Sequence, residues 1–130
     1  MDEPCPLCSA AEGRETLYAN THAVAMWDAF PVSPGHALIV SRRHVADLFE
    51  LSAEEQAAVW ELLPVVKVMV DERHAPAAYN VGVNVGAAAG QTIGHVHVHV
   101  IPRYEGDAVD PRGGVRWVLP DRAAYWKPIR

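Results

Sequence analysis

Apolar and polar positions alternate with period two along much of this chain, and one stretch has the 3.6-residue period of a helix. His95–Ile101 reads His-Val-His-Val-His-Val-Ile and predicts a strand that Pro102 ends. Ala78–Val85 sets Tyr79, Val81, Val83 and Val85 against smaller or polar residues and predicts another. Thr16–Tyr18 and His22–Trp27 predict two short strands around the turn Ala19-Asn20-Thr21. His36–Ser41 predicts a third, after a Pro31–Gly35 connection whose prolines and glycine exclude regular structure. Ser52 and Glu55 form a capping box that opens the helix, with acidic residues in its first turn. Ala57, Val59, Trp60, Leu62, Leu63, Val66 and Val70 supply its apolar stripe. Pro64 interrupts the hydrogen-bond ladder at Trp60, and because the stripe stays in phase the expectation is one kinked helix. Residues 1–15 and Glu105–Gly114 read as loops around Gly86–Gly94, a glycine-rich loop, and Val115–Leu119 as a last strand. The sum is an α+β class: an antiparallel sheet of about five strands with one long helix.

Length and composition narrow the reading. The 130 residues fit a single domain spanning 1–130, with 1–15 as an N-terminal loop and 105–130 as a C-terminal extension. Half the residues are hydrophobic and 21% are charged, a globular balance. A net charge of -5 argues against nonspecific nucleic acid binding, while a local pocket can still take a small anion. No apolar run approaches a membrane span, and the first residues lack a signal-peptide pattern. Two cysteines are too few for a disulfide scaffold, so the expected compartment is the reducing cytoplasm.

Seven histidines are an excess, and three of them fall within five residues. On a strand, residues two apart share a face, so His95, His97 and His99 are expected to point one way, with Val96, Val98 and Val100 in the core. A lone histidine is usually a surface or satisfied core residue. Three in phase call for chemistry instead. One possibility is a catalytic zinc held by His-x-His and a third ligand. The other is attack of a neutral imidazole on phosphorus, with neighbouring imidazoles and backbone N–H groups holding the phosphoryl oxygens. The Gly90-Gln91-Thr92-Ile93-Gly94 loop just before the histidines offers donors for a phosphate and favours the second.

With Gly-Gln-Thr ahead of it, the histidine strand resembles the signature of the histidine triad nucleotide hydrolases and transferases. Pro34–His44 is similar to the family's upstream strand, with Ser41 where proline is common, and the resemblance runs over roughly residues 4 to 104. It implies that His97 is the nucleophile that takes up a nucleoside monophosphate, that His99 binds and polarises the α-phosphate, and that His36 supports the triad. Gln91 and Thr92 then touch the phosphate and leaving group, Asp28 holds the ribose hydroxyls, and Asn84 adds a polar contact. Met26 shares a strand face with Asp28 and is expected either to line the base pocket or to pack in the core. The implied substrate is a nucleotide conjugate, first a dinucleoside polyphosphate, then a phosphoramidate or a phosphorolytic reaction. The implied assembly is a homodimer with a continuous sheet.

Cys5-Pro6-Leu7-Cys8 is open between a redox dithiol and half a zinc site. A redox pair ordinarily sits at a helix N-terminus, whereas this one reads as part of a proline-bounded loop. In one branch of the resembled family a similar pair joins the histidine ending the second motif and the first triad histidine. That implies a closed, structural zinc on Cys5, Cys8, His44 and His95. His22 and His74 read as surface residues. Arg112 and Arg116, in a Gly/Pro-rich C-terminal segment, either lie in a solvated loop or reach distal phosphates. Two other classes stay open: a zinc hydrolase with its metal on His95 and His97, and a noncatalytic nucleotide-binding module.

Overall fold

Five antiparallel strands in the order β1-β2-β3-β5-β4 form the sheet of a computed structural model that describes residues 5–12 and 16–128. The strands are β1 (Thr16–Ala19), β2 (Ala23–Trp27), β3 (Ala37–Ser41), β4 (Ala78–Val83) and β5 (His97–Arg103). One long helix, α2 (Ala53–His74), crosses one face, and the expected α+β class holds. Period-two patterning divides the sheet. Ala23, Ala25, Ala37, Ile39, Val96, Val98 and Val100 pack with Val59, Leu62, Val66, Met69 and Val70 of α2. Each fully buried Val or Ile there contributes about 1.5–3 kcal/mol relative to exposure.

The helix begins as its sequence requires. Ser52 Oγ accepts from the Glu55 N–H, and the Glu55 carboxylate accepts from the Ser52 N–H. Pro64 does not break the helix, because Pro64 and Trp60 both face solvent and water can satisfy the carbonyl left without an N–H donor. Ala57 and Trp60 of the expected stripe lie on the outside, and Ala58 and Met69 are buried in their place. Ala75 caps the helix in the left-handed conformation just before Pro76.

Four expectations are corrected. The N-terminal segment is not all loop: Pro6–Glu12 form the short helix α1, while residues 1–4 and 13–15 lie outside the described residues. Val115–Leu119 is not a strand. Gly114–Val118 wind into a 3₁₀ turn that leads to α3 (Pro120–Ala123), started by glycines at positive φ and by Pro120. β4 stops at Val83, two residues early. The histidine strand starts at His97 rather than His95 and runs through Pro102 to Arg103. Pro102 is tolerated because it lies past Ala37–Val100, the last β3–β5 pair, where its missing N–H leaves no ladder partner wanting.

On the face away from α2, Leu7 and Ala11 of α1 cover Val24, Met26, Leu38 and Val40. The part of this face next to β4 carries histidines.

Candidate functional site

His36 just ahead of β3 and His97 and His99 on β5 share the face opposite the valines, as the alternation required. Their hydrogen bonds fix which nitrogen carries each proton, because a backbone N–H can only donate and a carbonyl can only accept. The Val32 N–H donates to His36 Nδ1 at 3.1 Å. A neutral His36 therefore holds its proton on Nε2 and donates it to His99 Nδ1 at 3.0 Å. His99 in turn keeps its proton on Nε2. His97 Nδ1 donates to the His95 carbonyl at 2.7 Å, so a neutral His97 has its lone pair on Nε2. Burial is the largest cause holding both His36 and His99 below the ordinary histidine pKa; the Asp28 charge opposes it. Both rings are thus neutral at neutral pH, as the proton assignment needs.

Asp28 lies beside this group. Its Oδ1 accepts from the Phe30 N–H at 2.8 Å, and its Oδ2 stands 3.4 Å from His36 Nε2 and 3.8 Å from His99 Nδ1. Asp28, His36 and His99 are close enough to resemble a cation site. The Val32 amide argues otherwise, since a cation on His36 Nε2 would displace the proton that Val32 keeps there. Gly82 pairs with His99 across the β4–β5 ladder, and a Cβ on it would meet nothing within 4 Å, so this flank of His99 is open. Asn84 lies one residue beyond β4.

His95 departs from expectation. It precedes β5 in a bend, is 0% exposed, and does not line up with His97 and His99 on the strand. Its Nε2–H donates to the Ser41 carbonyl at 2.6 Å, so Nδ1 carries a lone pair. That Nδ1 lies 3.5 Å from Cys5 Sγ, 3.4 Å from Cys8 Sγ and 3.2 Å from His44 Nδ1. Cys8 Sγ is 3.2 Å from His44 Nδ1, and all four ligand atoms fall within 4.8 Å of one another. Bonds of about 2.3 Å to sulfur and 2.0–2.1 Å to nitrogen put tetrahedral ligand edges at about 3.3–3.8 Å, so this donor set fits a metal ion. Desolvation, then the neighbouring Cys5, pushes the Cys8 thiol up. The pair does sit at the start of a helix, so helix position fails to exclude a redox dithiol; the two imidazoles beside the sulfurs are what distinguish the site. His22 and His74 take no part among the described residues: His22 faces Glu54, and His74 stacks edge-on against Trp27.

The remaining sequence candidates are placed as follows. Gln91 has its amide fully engaged: Oε1 accepts from the Gly86 N–H, and Nε2 donates to the Ala46 and Ile93 carbonyls. It braces the glycine-rich loop against the segment after His44. Thr92 is exposed on that loop. Met26, 2% exposed, packs beneath α1, the core alternative of the two expected for it. Arg112 pairs with Asp110 and lies over Trp126, while Arg116 donates to the Ala123 and Arg122 carbonyls. Sequence reasoning missed the Val32 amide and the Ser41 carbonyl. Neither has a side-chain signal, since any residue supplies those groups.

A zinc hydrolase with its metal on His95 and His97 is disfavoured by this geometry. His95 turns its free nitrogen to the thiols, and His97 belongs to neither metal-capable group found among the described residues.

Known proteins are similar to this chain in sequence and fold. A HIT-like protein of Mycoplasma pneumoniae is 38% identical over 104 residues, covering 78% of this chain and 72% of its own. The asymmetrical bis(5'-nucleosyl)-tetraphosphatase of Schizosaccharomyces pombe is 33% identical over 95 residues, covering 73% of this chain and 52% of the relative. The crystal structure of a zinc-bound histidine triad family protein from Mycobacterium smegmatis superposes with a TM-score of 0.69 at 28% identity, over 82% of this chain and 77% of that one. The HIT domain model matches residues 12–106, most of the chain, and the chain therefore belongs to the HIT domain family.

Proposed function

We propose that this protein hydrolyses nucleotide conjugates at the α-phosphate, with dinucleoside polyphosphates as the first substrate class. The observation that carries the reading is the proton pattern: a bare His97 Nε2 beside a His99 that presents Nε2–H on the same open face. His97 Nε2 attacks the α-phosphorus, a phosphorus–nitrogen bond forms, and the bond to the leaving-group oxygen breaks. His99 Nε2–H donates to a non-bridging oxygen as charge builds there. Water then cleaves the phosphorus–nitrogen bond, releases a nucleoside monophosphate and restores His97. Asp28 Oδ2, on the same face, takes the ribose hydroxyls, with Asn84 and Thr92 at the margin. Gln91 serves by bracing the loop. A phosphoramidate substrate or phosphate in place of water would use the same groups.

A structural zinc on Cys5, Cys8, His44 and His95 belongs to this reading, supported by the fit of the four donor atoms and by the zinc-bound relative. The ion, when bound, supplies no reaction chemistry; it holds α1 and the segment before β5 together. A homodimer joined along β4, an outer strand of the sheet, is also part of it.

The test is a panel of dinucleoside polyphosphates and phosphoramidates assayed in ¹⁸O water. A nucleoside monophosphate carrying ¹⁸O, and an acid-labile adduct in quenched samples, are expected. Binding without turnover across the panel would replace this reading with the noncatalytic module.

A further inference from the structure

We propose that Ser33 and Tyr104 are positioning residues that set His99 as a phosphate donor, acting through the Val32 amide and His36. The Pro31–Gly35 connection has no regular structure of its own, yet the Val32 N–H that fixes the His36 proton belongs to it. Something outside the connection must hold that amide in place. β3 and β5 stop pairing at Ala37–Val100, and from there the chain ahead of β3 is fastened to the end of β5 by side chains. The Ser33 hydroxyl donates to the Pro102 carbonyl at 2.7 Å, and the Tyr104 hydroxyl donates to the Pro34 carbonyl at 2.6 Å. Ser33 also closes the turn through its own carbonyl, which accepts from the His36 N–H at 3.1 Å. On the opposite side Gly35, at φ +86°, approaches α2 so closely that a Cβ would meet His74 Cδ2 at 2.9 Å. Residues 33–35 are thus pinned on both sides, immediately after Val32.

Proton placement follows from this pinning. If the Val32 amide swings away, nothing keeps His36 Nδ1 as an acceptor, and the ring can carry its proton there instead. His36 Nε2 then accepts, and His99 must donate from Nδ1. His99 Nε2 is left with a lone pair facing the phosphate, which opposes binding of a developing oxyanion. Outer partners that orient metal-bound histidines change activity tenfold to a hundredfold when removed, and an effect at the lower end of that range is expected for these metal-free imidazoles.

The decisive measurement is the imidazole ¹⁵N–¹H correlation spectrum of the zinc-loaded protein without substrate. In the wild type, His36 and His99 should each show a protonated Nε2 and a bare Nδ1. Ser33→Ala should shift both rings toward the other tautomer or a mixture, and Ser33→Thr, which keeps the hydroxyl, should restore the wild-type pattern. Tyr104→Phe should move the same signals less. If Ser33→Ala fails to fold, Tyr104→Phe alone decides. Unchanged His36 and His99 nitrogens in the folded variants overturn the proposal. The kinetic counterpart rests on the hydrolase reading: Ser33→Ala should lower kcat about tenfold with KM changed less than about twofold. A wild type that cleaves nothing in the panel defeats that reading, whereas the spectra decide the positioning roles by themselves.

Discussion

His95 and His99 stand four residues apart and are both neutral imidazoles, yet they face different chemistry. His95 gives its Nε2–H to the Ser41 carbonyl and turns a bare Nδ1 into a pocket with two sulfurs and a second imidazole. His99 accepts on Nδ1 from His36 and presents Nε2–H to an open face. Between them His97 is tied through Nδ1, so a neutral His97 carries its lone pair on Nε2. The ring is the same each time. What separates the proposed ligand, nucleophile and donor is the backbone or side-chain group that occupies the other nitrogen.

The sharpest way to break this comparison is at His97. His97→Ala should lower kcat at least about a thousandfold while nucleotide binding stays measurable by calorimetry. Retention of more than about a tenth of the rate, equivalent to about 1.4 kcal/mol of barrier, would remove it as nucleophile. The metal side is tested by the Cys5→Ser, Cys8→Ser double variant. It should lose stoichiometric zinc by elemental analysis and lower the Tm by about 10 °C, yet keep part of its turnover. Zinc retained by that variant would place the metal elsewhere.

A smaller effect separates the ribose contact from the triad. Asp28→Ala should weaken ribonucleotide binding by about 1.5–3 kcal/mol, and 2′-deoxy analogues by less. Equal losses would mean that Asp28 acts only through His36 and His99. The smallest expected effect is on stability against pH. Burial holds His36 and His99 below the ordinary value of 6.5, so the folded state binds fewer protons than the unfolded chain just below that pH. Their contribution is fully present above about pH 6.5 and is lost as pH falls through the folded-state values. Urea unfolding of the zinc-loaded protein should show this decline, and His36→Asn should flatten it.

Much of this was legible in the sequence. Strict alternation in His97–Ile101 separated the valines from His97 and His99, and the Ser52–Glu55 box marked the helix start to the residue. The Cys5–Cys8 pair and two distant histidines were legible as one group only through the resemblance, and the fold brings their ligand atoms within 4.8 Å of one another. His95 was misplaced for a physical reason: alternation continues through it, but its backbone bends before the ladder begins, and periodicity cannot register a bend. Pro102 misled in the other direction, because a proline beyond the neighbouring strand's end costs no hydrogen bond. Gln91 reads as a phosphate contact in the sequence, and its bonds to the loop backbone were not legible there, since an amide side chain gives no hint of which partners it will find. Ser41 shows the reverse case. Standing where proline is common, it keeps an N–H that donates to the Val96 carbonyl at 3.4 Å, a bond just beyond the ladder that proline could not make.

Glu55 completes the helix cap, and its carboxylate also takes the Arg43 guanidinium at 3.0 Å. These bonds, with Arg43 the largest cause, bring its pKa down to about 2. Arg43 is the residue before His44. One carboxylate therefore serves both the first turn of the longest helix and the segment that delivers a thiol-facing imidazole. In folding terms the shared carboxylate couples the two. A helix end that frays releases Arg43, and an unformed loop leaves the cap half made, so opening one favours opening the other. The Cys5, Cys8, His44 and His95 cluster and the helix that covers the opposite face are in this way coupled through one carboxylate.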